Sequence, residues 1–266
     1  MRRHRLVEAR KAAGKTQEQV AELVEVDRTT IGKWERGEST PYPQQRPAYA
    51  AAISVTLSEL ASMLSSMPID AGEIAGWLAH YLAMEQSATG IRVHEPKLVD
   101  GLLQTPAYVE AVVRCVGLAG VTDDYVTQNI NQRRHRQQRV RTGDVGLEVI
   151  QAEQVLHVQL GTPQVMAEQL YSLADAAELP SVTVRVMPFT AGQYEARRLD
   201  SFSILAHPWG NPTVCLSSYG GTRFITEADE TAYFAQAFEQ ATHLALSPAD
   251  SIALIRQMAH TWEARR

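Results

Sequence analysis

The chain has 266 residues, a length that fits one large domain or two ordinary ones. Hydrophobic residues make up 45% of it, which excludes wholesale disorder. The net charge of -5 argues against nucleic acid when taken alone, yet residues 1–46 carry ten Lys/Arg against seven Asp/Glu, so a head of +3 precedes a body of -8. No run of about 18 apolar residues offers a membrane span, and no apolar core follows the basic N-terminus as a secretory signal requires. The expectation is a cytoplasmic protein. Cys115 and Cys215 stand among valines and read as buried free thiols of a reducing compartment.

In chain order, residues 4–13 form a helix with Leu6, Ala9 and Ala13 on one side and Gly14 as its stop. Thr16 caps the next helix, and Gln19 completes a capping box. That helix is expected to bury Val20, Leu23 and Val24. Val26 lies in a turn, Asp27 starts a third helix, and Gly37 ends it. "STPYPQQRP" (Ser39 to Pro47) reads as a turn or extended link. Short helices follow near 48–53 and 58–64, the second with Leu57, Leu60, Ala61 and Leu64 spaced for one face. "SSMPIDAGE" (Ser65 to Glu73) is the best candidate for a domain linker.

Beyond it, a helix is expected near 72–89. Thr105-Pro106, Thr162-Pro163 and Ser247-Pro248 each pair an N-cap with a first-turn proline, so three helices start there. A long helix near 122–141 ends in Arg133, Arg134, Arg136, Arg139 and Arg141. These read as a solvated face, an acidic-partner surface or a DNA-backbone contact. Residues 147–150, 182–189, 201–206 and 213–218 are β-type runs. "PFTAGQYEARRLDSF" joins two of them as a connecting loop or a ligand lid. Two helices close the chain near 227–245 and 249–264, the last with a stripe of Ile252, Ile255, Met258, Ala259 and Trp262. The fold class is an all-α five-helix head (1–66) followed by an α+β domain (67–266) with a small sheet flanked by helices.

"TQEQVAELVEVDRTTIGKWERG" (16–37) carries a packing code. With Gln17 as the first place, two helices that cross need apolar residues at the fourth, eighth, tenth, fifteenth and eighteenth places. Val20, Val24, Val26, Ile31 and Trp34 stand there, with the small Ala21 at the fifth. The ninth place, where a positive φ favours Gly, holds Glu25. The stretch from Leu6 to about Leu64 resembles the phage-repressor-like (XRE-type) helix-turn-helix family. The resemblance implies five helices, a buried ion pair between Arg10 and Glu35, and a third helix in the major groove. It also implies Arg28, Thr29 and Lys33 as base readers, with Gly32 allowing close approach. Lys15, Thr16, Gln17, Thr30, Arg36 and Arg46 become backbone anchors. Asp27 has two readings, a helix cap or an acceptor for cytosine N4.

"EPKLVDGLLQTPAYVEAVV", "QRRHRQQRV", "GTPQVMAEQLYSLADAAELPSVTVRVMPFTAGQY", "DSFSIL" and "ALSPADSIALI" resemble the C-terminal domain of the WhiJ-like class of actinobacterial regulators. That class usually has "PGLLQT", where this chain has Asp100 in place of the proline. The resemblance implies a transcriptional regulator, repressor-like, acting as a homodimer on double-stranded DNA with paired half-sites. The alternative is an antitoxin-like protein that neutralises a small partner protein encoded nearby and autoregulates its operon. A small-molecule ligand of the body is open. The sequence has no HExxH, CxxC, GxSxG or Walker loop, so the reading is non-enzymatic, without catalytic residues, metal or cofactor. His157 and His207, with their acidic neighbours, are the residues an enzymatic site would have to use.

Overall fold

The computed structural model describes residues 4–39, 41–42, 45–64, 76–115, 121–208, 210–218 and 221–265. Contacts divide the chain into two compact units. One is Met1–Ala88 with His207–Asn211 and Gly220–Thr222; the other is the remainder.

Five short helices open the chain: α1 (His4–Ala12), α2 (Gln17–Val24), α3 (Arg28–Arg36), α4 (Arg46–Ala52) and α5 (Leu57–Leu64). They close on Leu6, Val20, Ile31, Trp34, Tyr49 and Leu60, all buried. Each such side chain contributes about 1.5–3 kcal/mol by leaving water. The Trp34 and Tyr49 rings meet at 5.1 Å. Inside this core lies one ion pair. Arg10 Nε donates to Glu35 Oε1 at 2.5 Å, and its second guanidinium nitrogen reaches the Lys15 carbonyl at 2.9 Å. Gln17 Nε2 donates to Glu35 Oε2 at 2.7 Å. The carboxylate therefore ties α1, α2 and α3 together.

Two expectations for the head are corrected. Leu23 is 53% exposed rather than buried, because α2 turns only the row Val20, Ala21 and Val24 inward. The link expected to run through Pro47 gives way to α4 at Arg46, since a proline in the first turn lacks only an N–H that the helix does not use. The linker Ser65–Glu73 lies outside the described residues. α6 (Gly76–Ser87) packs on α5.

The second unit carries most of one six-stranded sheet: β1 (Gly90–Glu95), β2 (Gly146–Ala152), β3 (Val182–Met187), β4 (Phe202–His207), β5 (Gly210–Ser218) and β6 (Gly221–Ile225). The order is β3-β2-β1-β4-β5-β6. β1 and β2 run parallel, as do β2 and β3, while β4 runs antiparallel to β1. Four strand runs were expected, so β1 and β6 are corrections. Arg92, His94 and Glu95 break the apolar pattern of β1, and β6 is only five residues long.

The remaining helices are α7 (Pro106–Cys115), α8 (Asp123–Arg141), α9 (Gln154–His157), α10 (Pro163–Ala176), α11 (Ala228–Leu244) and α12 (Pro248–Glu263). α9 is an unforeseen single turn. Thr162 and Ser247 cap α10 and α12 through their hydroxyls, each with proline in the first turn. Thr105 Oγ1 accepts from the Tyr108 amide at the start of α7. One sheet face packs Ile150, Phe202 and Ile204 on Phe234 and Phe238 of α11. α12 lies against β3 and α10. β3 is an edge strand, and its exposed backbone is covered: the Val186 amide donates to Ser251 Oγ, and its carbonyl accepts from the Leu246 amide. Cys215 is buried, but Cys115 is exposed at the last turn of α7, contrary to the buried thiol expected there.

Residues 96–105 are irregular backbone with buried carbonyls, and glutamines satisfy them. Gln151 Nε2 donates to the carbonyls of Glu95 and Leu98. Gln104 donates to Val99, and Gln137 to Gly101 and Gln104. Gln169 accepts from the Thr105 amide at 2.7 Å and donates to the Leu103 carbonyl at 2.9 Å. Asp100 Oδ1, at the place where the resembled class has proline, accepts from the Leu102 amide and folds its own turn.

Three outcomes follow from these contacts. Arg10→Met leaves Glu35 buried with only Gln17, and should cost the head about 3–5 kcal/mol, read as lost hydrogen-exchange protection in α1–α3. Gln169→Leu orphans two backbone groups and should cost about 2–4 kcal/mol in urea titration followed by circular dichroism. Burial holds the His94 imidazole down to about 4, and His207 likewise. The unfolded chain then binds protons more readily than the folded one below about pH 6.5. Stability should fall as pH drops from 6.5 towards 4, by up to about 3 kcal/mol per histidine, and His94→Phe should make that decline shallower.

Candidate nucleic-acid interface

Caps at both ends of α2 and at the end of α3 delimit the two helices and the turn between them. At the start of α2, Thr16 Oγ1 accepts from the Gln19 amide at 3.2 Å, and Gln19 Oε1 accepts from the Thr16 amide at 2.9 Å. The helix ends on Glu25 in the left-handed region, at φ 57° and ψ 48°. The glycine usual at this place is absent, and the strain, on the order of 1 kcal/mol, is held by amides of the turn bonding back to Ala21 and Glu22. α3 ends on Gly37 at φ 75°, with the Glu38 amide on the Lys33 carbonyl.

Asp27 occupies the cap position of α3 with extended backbone, and its carbonyl accepts from the Thr30 amide at 2.8 Å. Its side chain makes no cap hydrogen bond. The cap reading is therefore corrected: the backbone starts the helix while the exposed carboxylate stays outside the ladder.

Val20, Val24, Ile31 and Trp34 are buried, Ala21 lies at the crossing, and Val26 packs against the same core from the turn. This seats α3 with two rows turned outward. One is Thr29 and Lys33, both exposed. The other is Arg28, Gly32 and Arg36. The Arg28 side chain is 62% exposed, with its Nε 3.8 Å from Glu18 Oε2. At that distance in solvent the pair contributes little and leaves the guanidinium available. Gly32 is not an open surface position as expected. The Arg36 guanidinium lies 2.9 Å from where a Cβ would stand and covers it. Arg36 itself bridges to Glu38 at 2.6 Å.

The other expected anchors are placed differently from one another. Lys15 and Thr16 sit at the open N-terminal end of α2, and Thr30 is half-buried on α3. The Gln17 side chain turns inward to Glu35, which leaves its helix-terminal amide as the group facing outward chemistry. Arg46 donates to the Pro41 carbonyl at 3.2 Å. Sequence reasoning did not foresee the acidic flank. Glu18, Glu22, Glu25 and Asp27 line a shallow groove beside Arg28. Carboxylates there repel phosphates and penalise loose, sequence-independent contact.

His157 and His207 form no common site. His157 Nε2 is 3.5 Å from Glu153 Oε1, while His207 is buried. Among the described residues no group of three His, Cys, Asp or Glu side chains is placed to hold a metal ion. No described helix is long and apolar enough to cross a membrane.

Comparison with family models matches residues 6–62 to the helix-turn-helix family and residues 78–257 to the domain of unknown function DUF5753. Among curated proteins and solved structures nothing matches. The second model covers more than half of the chain, and the first spans the helices that carry the packing code. The chain belongs to the DUF5753 family, and its helix-turn-helix makes it a DNA-binding regulator of the XRE kind.

Proposed function

We propose that the chain is a sequence-specific transcriptional regulator, repressor-like, in which the head (1–66) reads an operator and the body (67–266) sets when it does so. The observation that carries this reading is the outward pair of rows on α3, fixed by the buried Arg10–Glu35 pair. Arg28 has the fork geometry for guanine O6 and N7, Thr29 suits a thymine methyl or a base edge, and Lys33 reaches guanine or phosphate. Asp27, its carboxylate unused by the helix, suits cytosine N4. Lys15, Thr16, Gln17, Thr30, Arg36 and Arg46 position the head on the backbone.

A single recognition helix reads only a few base pairs, so the protein acts as a homodimer on half-sites about 34 Å apart. The body senses a signal or binds a partner. A signal alters DNA affinity only by favouring one of two states that hold the heads differently. The protein works in the cytoplasm.

The test is selection of duplexes from a random pool by the full chain at about 0.15 M salt, followed by Arg28→Ala. The variant should lose discrimination at one base pair per half-site, worth about 1–3 kcal/mol, and keep the rest of the motif. Failure of the full chain to enrich any motif would sink the reading. An unchanged motif in the variant would remove Arg28 from it.

A further inference from the structure

α8 is a basic helix in an acidic body. Between Asp124 and Asp144 the chain has five arginines and no carboxylate, whereas residues 47–266 together carry -8. The helix has two distinct faces. Its inner face is spent on structure. Arg133 Nε donates to Gln104 Oε1 at 2.9 Å and its terminal nitrogen to Asn129. Burial lowers its guanidinium to about 10. Arg136 lies over Gly101, and Gln137 bonds two carbonyls of the 96–105 loop.

From Thr127 onward the outer face consists of Thr127, Gln128, Asn131, Arg134, His135, Gln138 and Arg141, all exposed, with the exposed Asp124 on the same side one turn earlier. Among the described residues no ion pair or hydrogen bond engages the guanidinium of Arg134 or Arg141. They lie seven residues apart, two turns along one side of the helix, or about 10.5 Å. The inner bonds hold the helix itself in place, so only the side chains of this stripe need to be ordered when it meets a partner.

The composition selects the partner. A protein interface needs an apolar centre, with aromatic or aliphatic anchors filling pockets. From Thr127 to Arg141 this face has a hydroxyl, amides, an imidazole and guanidiniums, with one carboxylate, Asp124, at its start. Phosphate contacts need only donors of this kind. We propose that the outer face of α8 is a second DNA contact, which binds backbone phosphates through Arg134 and Arg141 without reading sequence. The proposal rests on the DNA-binding reading of the head.

The experiment uses the full-length protein. It first selects duplexes from a random pool; failure to select any overturns the head reading and takes this proposal with it. The selected duplex is then titrated by fluorescence anisotropy between about 50 and 200 mM salt against R134Q/R141Q. The double variant should recover the same motif and bind it about tenfold more weakly, with the slope of log K against log salt shallower by about 1.8. R134K/R141K keeps the charge and should restore both. Unchanged affinity and slope in the glutamine variant overturn the proposal while leaving the head reading intact. So does a shifted motif, or a lysine variant as weak as the glutamine one, which would make the loss structural. Loss of a co-purifying protein with DNA binding untouched would assign the face to a protein partner instead.

Discussion

The carboxylate of Glu35 is the constraint on which the head depends. A buried carboxylate without partners would cost several kcal/mol, and this one is tolerated because Arg10 and Gln17 donate to it from two other helices. Burial of Ile31 and Trp34 sets which face of α3 turns inward, and the bonds to Glu35 hold that orientation with directional contacts. Glu35 sits on the row opposite Thr29 and Lys33, so the fixed carboxylate fixes the outward rows as well. The interior polar contact thus becomes an exterior specification: a bond inside the core helps decide which side chains α3 turns outward.

A similar logic governs the body with neutral groups. The stretch 96–105 leaves β1 without regular structure and runs through the interior, where its peptide groups need partners. Amide side chains from β2, α8 and α10 supply them, and Gln104 adds one from within the loop. One loop therefore joins strand, α7, α8 and α10 into a single packing unit. Glu95, at its entrance, accepts from the Lys97 and Leu98 amides and from Ser201, which offsets part of the burial that pushes its carboxyl up. Changes in any of these glutamines should therefore be felt along α8 rather than at one point.

Local chemistry was legible in the sequence; non-local polar chemistry was not. Thr16 with Gln19, Thr162 with Pro163, and Ser247 with Pro248 are signals within four residues, and each marks a helix start in the structure. The crossing code through Val20, Ala21, Val24, Ile31 and Trp34 was also visible, because helical periodicity alone determines which side chains meet. β1 was hidden because its central position in the sheet does not show in a six-residue run holding Arg92, His94 and Glu95. Arg92 pairs with Glu239, 147 residues away, and no window around residue 92 contains that partner. Leu23 and Cys115 failed for the opposite reason: an apolar neighbourhood in sequence placed each on a face that the helix turns to solvent. The Arg10–Glu35 pair came through resemblance alone, since 25 residues separate two charges that look like surface groups.

Charge placement then limits how this protein finds DNA. An acidic chain gains little from long-range attraction, and the carboxylates flanking Arg28 reduce it further at the reading helix. Each phosphate contact is worth about threefold in affinity over a fourfold change in salt, so a head whose net charge is only +3 over residues 1–46 gains little on random sequence. The ratio of specific to random binding decides occupancy in a genome, and weak random binding raises that ratio. The cost is low absolute affinity per head. In the proposed homodimer, pairing heads would recover it by effective concentration, and cations held away from α3 would add more without blurring the choice of sequence. Under the proposal for α8, Arg134 and Arg141 would meet that requirement where further lysines around α3 would not.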